Sequence, residues 1–159
     1  MAINWNERSK VVNLCDWNIS WEQKSATADE FLKARNVTYI INMEIETQVQ
    51  NGNTFFVGND GIGSHARVYI ENPELREHLG FDCKAEGRTQ LILTEDKCKE
   101  ILEYKTFSTF KKYIAEYIVT NQEKAKIINY ARKTKINDYD KIQYLQNHCG
   151  IPYNVEINT

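Results

Sequence analysis

Residues 37–52, VTYIINMEIETQVQNG, decide the fold class of the first half of the chain. From Val37 to Val49 the odd-numbered positions are apolar except for one threonine, and the positions between them are mostly polar. A period of two residues is typical of a strand with one buried face, so this stretch predicts a long half-buried strand. One alternative stays open: Ile45 and Val49 stand four residues apart, which also suits a helical turn over 44–50.

The dipeptide Asn51-Gly52 follows this strand directly. It predicts a hairpin, because a type I′ turn needs positive φ at both central residues and Asn-Gly tolerates that well. Thr54–Val57 is then the return strand, Gly58–Gly63 a second turn and Ala66–Glu71 a third strand. The other elements predicted in this half are a strand at Val11–Cys15, a strand face made by Trp17, Ile19 and Trp21, a short helix from Thr27 through Ala34, and a helix that Asn72 caps and that ends near Gly80.

The second half changes to a period near 3.6 residues, the spacing of helices that bury one face. Thr94 is expected to cap the first helix, and Thr120 with Glu123 to form a capping box at the start of another. The last helix is predicted to run from a cap at Asn137 to a stop at Gly150. The fold class is therefore α+β: a small N-terminal antiparallel sheet of hairpins with short helices, followed by a C-terminal bundle of about four helices.

The change of period lies near Gly87, in the polar stretch 84–89 that is the best linker candidate. We therefore expect an acidic β-rich lobe over 1–86 and a mildly basic helical lobe over 87–159, and leave open whether the two share one core. Residues 1–86 carry 8 Lys+Arg against 13 Asp+Glu, whereas 87–159 carry 12 against 9. The sharpest charge feature is the window 104–135, in which 8 basic residues face 2 acidic ones.

Composition excludes several classes of protein. Hydrophobic residues make up 42% of the chain, which is typical of a globular protein. The sequence begins without an apolar leader segment and no apolar run reaches spanning length, so we expect no membrane segment and a cytoplasmic location. The four cysteines are widely spaced and include no C-x-x-C pair, which predicts free thiols in a reducing compartment.

The basic window predicts a first contact surface. Helices expected over 121–133 and 138–149, joined by a short connection, form a helix-turn-helix-like pair. Lysine and arginine on such a pair can neutralise phosphates or meet an acidic protein; the alternative is the solvated face of an ordinary bundle. The set that would contact nucleic acid or an acidic partner is Lys111, Lys112, Lys124, Lys126, Arg132, Lys133 and Lys135.

A second contact surface is predicted on the third strand. With a period of two, Ala66, Val68 and Ile70 face the core, and the side chains between them share the other face. Arg and Tyr are enriched at binding hot spots, because each combines a rigid contact area with hydrogen-bond donors. The alternative is a solvated strand face. A protein partner is therefore expected at a row of four side chains: His65, Arg67, Tyr69 and Glu71.

No motif in the chain favours catalysis. The glycine-rich stretch 58–64, GNDGIGS, lacks the lysine of a phosphate-binding loop, and a strand rather than a helix is expected after it, so a hairpin turn is the better interpretation. Neither H-E-x-x-H nor G-x-S-x-G occurs, and Ser64-His65 and His148-Cys149 are neighbours whose side chains point apart more often than together. We expect a chain that is not an enzyme, with no metal and no cofactor.

Residues 55–71, FFVGNDGIGSHARVYIE, resemble a stretch of short uncharacterised proteins of bacteriophages and prophages, and so does the helical tail 91–150. The tail is also similar to small helix–loop–helix modules at the C-termini of some prophage proteins. The resemblance implies a phage or mobile-element setting, in the host cytoplasm or the virion, and no particular mechanism.

Within that setting we expect a non-enzymatic binding protein that acts through protein–protein contacts as a virion or assembly component. Two alternatives stay open. One is a phage-encoded inhibitor of a host defence nuclease, and the other is a nucleic-acid-binding protein that uses the window 104–135. The oligomeric state is not predicted.

Overall fold

A computed structural model describes residues 3–25 and 28–153 of the 159-residue chain and divides the chain into two compact units. We call Met1–Ile92 the N-terminal unit and Leu93–Thr159 the helical unit. The predicted α+β class is confirmed, since a small antiparallel sheet lies in the first unit and helices make up the second.

The described part of the N-terminal unit contains five strands: β1 (Arg8–Asn13), β2 (Ile19–Trp21), β3 (Glu30–Leu32), β4 (Val37–Ile41) and β5 (Val68–Ile70). β1 is the centre of a three-stranded antiparallel sheet in the order β4-β1-β5, and β2 pairs with β3 in a second, two-stranded sheet. Ser9, Val11 and Asn13 of β1 are buried, so the residues between them lie on the opposite, more exposed face of the sheet.

The hairpin predicted at Asn51-Gly52 is wrong. β4 ends at Ile41, and a helix, α1 (Asn42–Gln50), replaces the rest of the long strand, so the helical alternative is the correct one. Gly52 has a φ of 72° at the end of this helix, where a left-handed residue commonly follows a helix terminus. The expected return strand is also helical and forms α2 (Thr54–Val57).

α1 buries residues that are adjacent in sequence. A strand with one exposed face cannot do this, because its successive side chains point to opposite faces. Ile45 and Glu44 are both almost fully buried, as is Gln48. The Glu44 carboxylate accepts hydrogen bonds from the backbone N–H groups of Lys24 (2.5 Å) and Ser25 (3.1 Å), and the Gln48 side chain donates to the backbone of the same segment. These partners lie some twenty residues away in sequence, so the local pattern gave no sign of them.

Three further predictions for this unit need correction. Thr27 lies outside the described residues, but residues 30–32 of the helix predicted there form β3. Trp17 lies outside β2 and is partly exposed, although the other two residues of its predicted strand face are buried. The loop Gly58–Gly63 joins α2 to β5 and is therefore not a hairpin turn.

The helix predicted after Asn72 is confirmed as α3 (Pro73–His78). The Asn72 side chain accepts hydrogen bonds from the backbone N–H groups of Glu74 (3.1 Å) and Leu75 (3.2 Å), which have no partner within the helix itself. Pro73 stands at the first helical position, where its missing N–H costs nothing.

The stretch 84–89 is not a linker. A short 3₁₀ turn at Lys84–Glu86 reverses the chain, and Cys83 pairs with Arg88 on either side of it. The backbone N–H of Gln90 then donates to the Asp82 carboxylate (3.0 Å). The polar composition therefore belongs to a tight, hydrogen-bonded turn. The chain divides into its two units between residues 92 and 93, whereas the sequence placed the boundary between residues 86 and 87.

Four helices make up the described part of the helical unit: α4 (Glu95–Glu103), α5 (Phe107–Tyr117), α6 (Asn121–Lys133) and α7 (Tyr139–Cys149). Thr94 caps α4 as predicted, with its side chain accepting from the Lys97 N–H (3.2 Å). At the start of α6 the Glu123 carboxylate accepts from the Thr120 N–H (2.9 Å), as expected of a capping box.

The cap of α7 is Asp138, not Asn137. The Asp138 side chain accepts from the Lys141 N–H (3.2 Å), one residue later than predicted. Either residue type can cap a helix, so the sequence did not distinguish the two positions. Gly150 ends α7 as predicted, with a φ of 65°.

Each unit has its own cluster of buried apolar side chains among the described residues. The largest fully buried members in the N-terminal unit are Ile45, Phe56, Ile70, Leu75 and Phe81. Those in the helical unit are Ile101, Phe110, Ile114, Ile118, Ile127, Ile128 and Leu145.

The loop after α2 depends on one glycine, and this generates a prediction. Gly58 has φ 66° and ψ −151°, a region open to almost no other residue, and a Cβ built there would lie 2.0 Å from the Ser64 carbonyl oxygen. We expect Gly58→Ala to lower the free energy of unfolding of the N-terminal unit by about 3 kcal/mol or more. Denaturant unfolding followed by tryptophan fluorescence measures it, because all three tryptophans lie in this unit.

Gly61→Ala is the matched control. Gly61 also has positive φ, at 79°, but a Cβ there would meet nothing within 4 Å, so only the left-handed backbone is penalised, by about 1 kcal/mol. Equal losses for the two variants would contradict the close approach at Gly58.

Candidate protein-binding edge of the N-terminal sheet

β4 forms one edge of the three-stranded sheet, and its only strand partner among the described residues is β1. Two backbone hydrogen bonds close the ends of this pairing. The Asn13 N–H donates to the Asn36 carbonyl (2.9 Å), and the Asn42 N–H donates to the Glu7 carbonyl (2.8 Å). Because hydrogen-bonded and non-hydrogen-bonded pairs alternate along an antiparallel ladder, these two bonds set the phase of every residue between them.

In that phase Thr38 and Ile40 direct their backbone N–H and C=O groups toward β1. The residues that direct theirs away from the sheet are Val37, Tyr39 and Ile41, and we call these three the β4 edge. Among the described residues, the outward groups of Val37 and Tyr39 have one protein partner, the Arg8 guanidinium, whose Nη1 donates to the Tyr39 carbonyl (3.0 Å). Ile41 is also the N-cap of α1, and the carbonyl of an N-cap residue accepts the first hydrogen bond of its helix, so the open backbone of the edge is that of Val37 and Tyr39.

Two side chains of the β4 edge are exposed and largely apolar. Tyr39 is 58% exposed and Val37 44%, whereas Ile41 is half-buried and Ile40, on the other face of the strand, is buried. Val37 lies beside Val12 of β1, and Val12 lies beside Tyr69 of β5, so an apolar row crosses the outer face of all three strands. Proteins normally cover, shorten or charge an edge strand of this kind, because it can pair with another chain.

Positive charge borders the β4 edge, although β4 itself has no charged residue. Arg8 is exposed, and within the described residues it has no carboxylate partner. Lys10, the neighbour of Tyr39 on β1, is paired with Glu71 at 3.5 Å. Arg8 is therefore the cation beside this edge that remains available to a carboxylate from outside.

Burial alternates on the third strand as predicted, with Ala66, Val68 and Ile70 buried, but three of the four side chains expected on the opposite face bind different neighbours. Regular strand geometry begins only at Val68, and His65 adopts a left-handed conformation with φ 61° in the preceding loop. The other three make separate contacts: Arg67 lies over the Phe55 ring (5.0 Å), Tyr69 lies under Arg76 (4.9 Å), and Glu71 pairs with Lys10. Of the predicted row, Tyr69 alone belongs to the apolar row described above.

The glycine-rich loop binds its own carboxylate. Asp60 Oδ1 accepts hydrogen bonds from the N–H groups of Ile62 (2.9 Å) and Ser64 (3.1 Å). The N–H groups of Asn59 and Gly63 also donate to backbone carbonyls, so four N–H groups of this loop are bonded within the protein, as expected of a turn with a structural role.

A cavity of about 380 Å³ lies beside α3, and Arg76, Lys84, Arg88 and Cys83 are among its lining residues. Both guanidinium groups serve the fold. Arg76 donates to Asp82 (2.8 Å) and to the Ile70 carbonyl, and Arg88 donates to the carbonyls of Phe81 and Gly80. These bonds fix the turn at 84–87. Each cation of the cavity wall also has a carboxylate partner, Asp82 for Arg76, Glu86 for Arg88 (3.4 Å) and Glu77 for Lys84 (3.9 Å), which offsets its charge toward a ligand.

The basic set predicted for nucleic acid does not form one free surface. Lys126 is only 8% exposed, so it lies inside the helical unit and its predicted contact role is corrected. Lys133 pairs with Glu95 at 3.6 Å, and Lys111 and Lys112 lie over the rings of Phe107 and Tyr113 on α5. Lys124 is half-buried, and Lys135 is exposed in the turn after α6.

Arg132, also a member of that set, holds the chain beyond α7. Its guanidinium donates to the carbonyls of Pro152 and Tyr153. The Tyr153 hydroxyl lies within hydrogen-bonding distance of the carbonyls of Ala131 (3.1 Å) and Ile136 (3.0 Å), and its one proton is donated to this pair of acceptors. Burial raises the pKa of Tyr153 above its usual value, so this hydroxyl stays protonated as the donor. The role of Arg132 is therefore structural.

A tyrosine cluster lies on α4 and α5. Tyr113 stacks between Tyr104 (4.8 Å between ring centroids) and Tyr117 (6.3 Å), and Lys97 lies over the Tyr117 ring. Glu100 accepts a hydrogen bond from the Tyr104 hydroxyl (2.8 Å), which raises the pKa of Tyr104, and a bond from Lys97 lowers the pKa of Glu100 itself. The three tyrosine rings thus stack on one another, and this stacking occupies ring faces that a ligand would otherwise contact.

Among residues 3–25 and 28–153, no helix is long and apolar enough to cross a membrane, and no three His, Cys, Asp or Glu side chains converge as metal ligands. A comparison of the chain with protein-family models, curated proteins and solved structures found no match.

Sequence reasoning missed the β4 edge. The run 37–41 is apolar, free of charge and free of proline, which is a signal for pairing with another strand. It was assigned to a half-buried strand because nothing local indicates which strand of a sheet lies at its edge. Arg8 was missed for the same reason, since its position beside Tyr39 depends on the pairing of β1 with β4.

The cysteines generate a prediction that checks their burial. All four are free thiols; Cys83 is partly exposed on the cavity wall, and the other three are buried. Burial raises the pKa of the Cys149 thiol to about 11, so its reactive thiolate form appears only as the pH approaches that value. At pH 8 we expect one fast-reacting thiol with a disulfide reagent, and Cys149 to react about a hundredfold more slowly than an unperturbed thiol.

Cys83→Ser is the control and should remove the fast phase. A fast phase that persists in this variant, or more than one fast thiol in the native protein, would contradict the burial of the other cysteines.

Proposed function

We propose that the chain is a non-enzymatic binding protein of bacteriophage or mobile-element type, which acts through protein–protein contacts as a virion or assembly component. The observation that carries the proposal is the β4 edge. It combines an exposed tyrosine and valine with backbone groups that have no strand partner among the described residues. Such an edge contributes both apolar contact area and a row of hydrogen-bonding groups to a partner.

Tyr39 is the expected anchor of the contact. Tyrosine buries a large, rigid ring at a low cost in conformational entropy, which is why it is enriched among residues that dominate binding energy. Val37, Val12 and Tyr69 extend the apolar row behind it across the sheet. The contact area is thus part of a hydrogen-bonded sheet, so its backbone is already in the conformation that receives a partner.

The burial and pairing of the basic side chains in the helical unit favour a protein partner over nucleic acid. Lys126 is buried, Arg132 binds the chain beyond α7, and Lys133 pairs with Glu95. Phosphate binding needs several cations on one accessible surface, because each neutralised phosphate contributes through counterion release. The helical unit offers fewer of them than the sequence window indicated.

The setting follows from the resemblance to short phage and prophage proteins at 55–71 and 91–150. In that setting the chain works in the host cytoplasm or becomes part of the virion, and its partners are other proteins of the same element.

A photoreactive benzoylphenylalanine at position 39 tests the proposal. In the cells that naturally produce the chain, we expect this probe to form a discrete crosslink to one protein, because position 39 lies at the centre of the contact. Binding of that protein, once purified, to the full chain should then weaken about tenfold in Tyr39→Lys, since an interface hot spot contributes more than about 1.4 kcal/mol.

The matched control is position 139 of the helical unit, where Tyr139 is 72% exposed and therefore more accessible than Tyr39. The proposal fails if the probe at 139 gives the same crosslink, if the probe at 39 gives none, or if Tyr39→Lys and Tyr139→Lys bind the purified partner equally well.

A further inference from the structure

The β4 edge has a definite hydrogen-bonding pattern. The N–H and C=O groups of Val37 and Tyr39 point away from β1, whereas those of Thr38 point toward it. A strand laid along this side would meet donors and acceptors at the spacing of a β-ladder. Partner proteins often bind in this way, by adding an extended segment to an exposed sheet edge.

Arg8 now occupies part of that edge. Its side chain crosses from β1 to donate to the Tyr39 carbonyl, the acceptor that an incoming strand would use. A cation at an edge is a common device against unwanted pairing. Because Arg8 has no carboxylate partner within the described residues, a carboxylate brought by the incoming strand would form a stronger, charge-assisted bond and release the carbonyl.

We infer that the β4 edge binds an extended segment of a partner protein as an additional strand, and that this segment carries a carboxylate that takes Arg8 away from the Tyr39 carbonyl. The inference rests on the proposed function and specifies its binding mode. The occupant is indicated by Arg8, the charged side chain that binds the outward backbone of β4. The Glu30 carboxylate also lies beside this strand, but it binds the hydroxyl of Thr38, whose side chain is on the opposite face from Val37 and Tyr39, so charge complementarity at the outward backbone favours an incoming carboxylate.

In this arrangement the backbone groups supply affinity and the side chains supply specificity. The backbone groups of Val37 and Tyr39 would bind any extended segment, and the exposed side chains of the same two residues would select apolar or β-branched neighbours. Arg8 would select the carboxylate, because a segment without one must compete with the guanidinium for the Tyr39 carbonyl.

One substitution separates strand addition from ordinary surface contact. Val37→Pro removes an outward N–H, so the ladder between β4 and β1 keeps its bonds while the edge loses a donor. Val37→Thr is the matched control, since threonine keeps the N–H and suits a strand. Tyr39→Pro provides a second variant of the same type should Val37→Pro disturb folding, which tryptophan fluorescence monitors.

The probe is a display library of randomised nine-residue peptides, selected on the immobilised full-length chain. We expect selected peptides to alternate apolar and polar residues and to carry Asp or Glu at one fixed position, enriched about fivefold over the unselected library. On the Arg8→Glu chain the same position should change to Lys or Arg. Val37→Pro should weaken binding of the selected peptides about tenfold, and Val37→Thr should not.

The outcomes distinguish the inference from the proposed function. Peptides that bind equally to Val37→Pro and wild type but are lost in Tyr39→Thr would overturn strand addition and leave a protein-binding surface intact. An acidic preference that survives Arg8→Glu would overturn the role of Arg8. A concentration-dependent dimer of the wild type that Val37→Pro abolishes would assign the edge to a second copy of the chain instead. Selection of no peptides at all overturns the inference outright.

Discussion

The N-terminal unit depends on the central position of β1, because the backbone of β1 makes the hydrogen bonds of both neighbouring strands. Its odd-numbered residues hydrogen-bond to β4 and its even-numbered ones to β5. Asn13 extends this control beyond the sheet, since its side chain donates to the carbonyls of Trp17, Leu32 and Lys33. It thereby fixes the two-stranded sheet as well. Both sides of β1 are in use, and β4 lies at one end of this sheet, where the side that faces away from β1 has no strand partner among the described residues.

The helical half could be predicted from the sequence because its signals are local. A capping residue and the N–H it binds lie within three residues, as at Thr94, and a C-terminal glycine such as Gly150 acts on its own turn. The region from 42 to 57 could not be predicted in this way. Over 42–50 the alternation fits a strand and the spacing of Ile45 and Val49 also fits a helical turn, so the local sequence does not decide between them. The bonds of Glu44 and Gln48 to the backbone of a distant segment favour the helix.

The candidate site was misplaced for a related reason. Period-two alternation indicates that a strand has two faces, but it does not reveal which strand lies at the edge of a sheet or which face is covered. Tyr39 and Tyr69 have similar sequence surroundings, yet Tyr39 lies on an open edge and Tyr69 lies beneath Arg76. The basic window shows the same limit, since burial of Lys126 and the bonds of Arg132 arise only when α6 packs in the unit.

The central claim is that β4 hydrogen-bonds to β1 on one side and is open on the other. Amide hydrogen exchange, measured residue by residue by NMR on the full chain, tests it most directly, because exchange reports whether each N–H is bonded. The account predicts slow exchange for Thr38 and Ile40 and fast exchange for Val37 and Tyr39, alternating along one strand. Protection of Tyr39 equal to that of its neighbours Thr38 and Ile40 would show that the edge is already paired, and would contradict it.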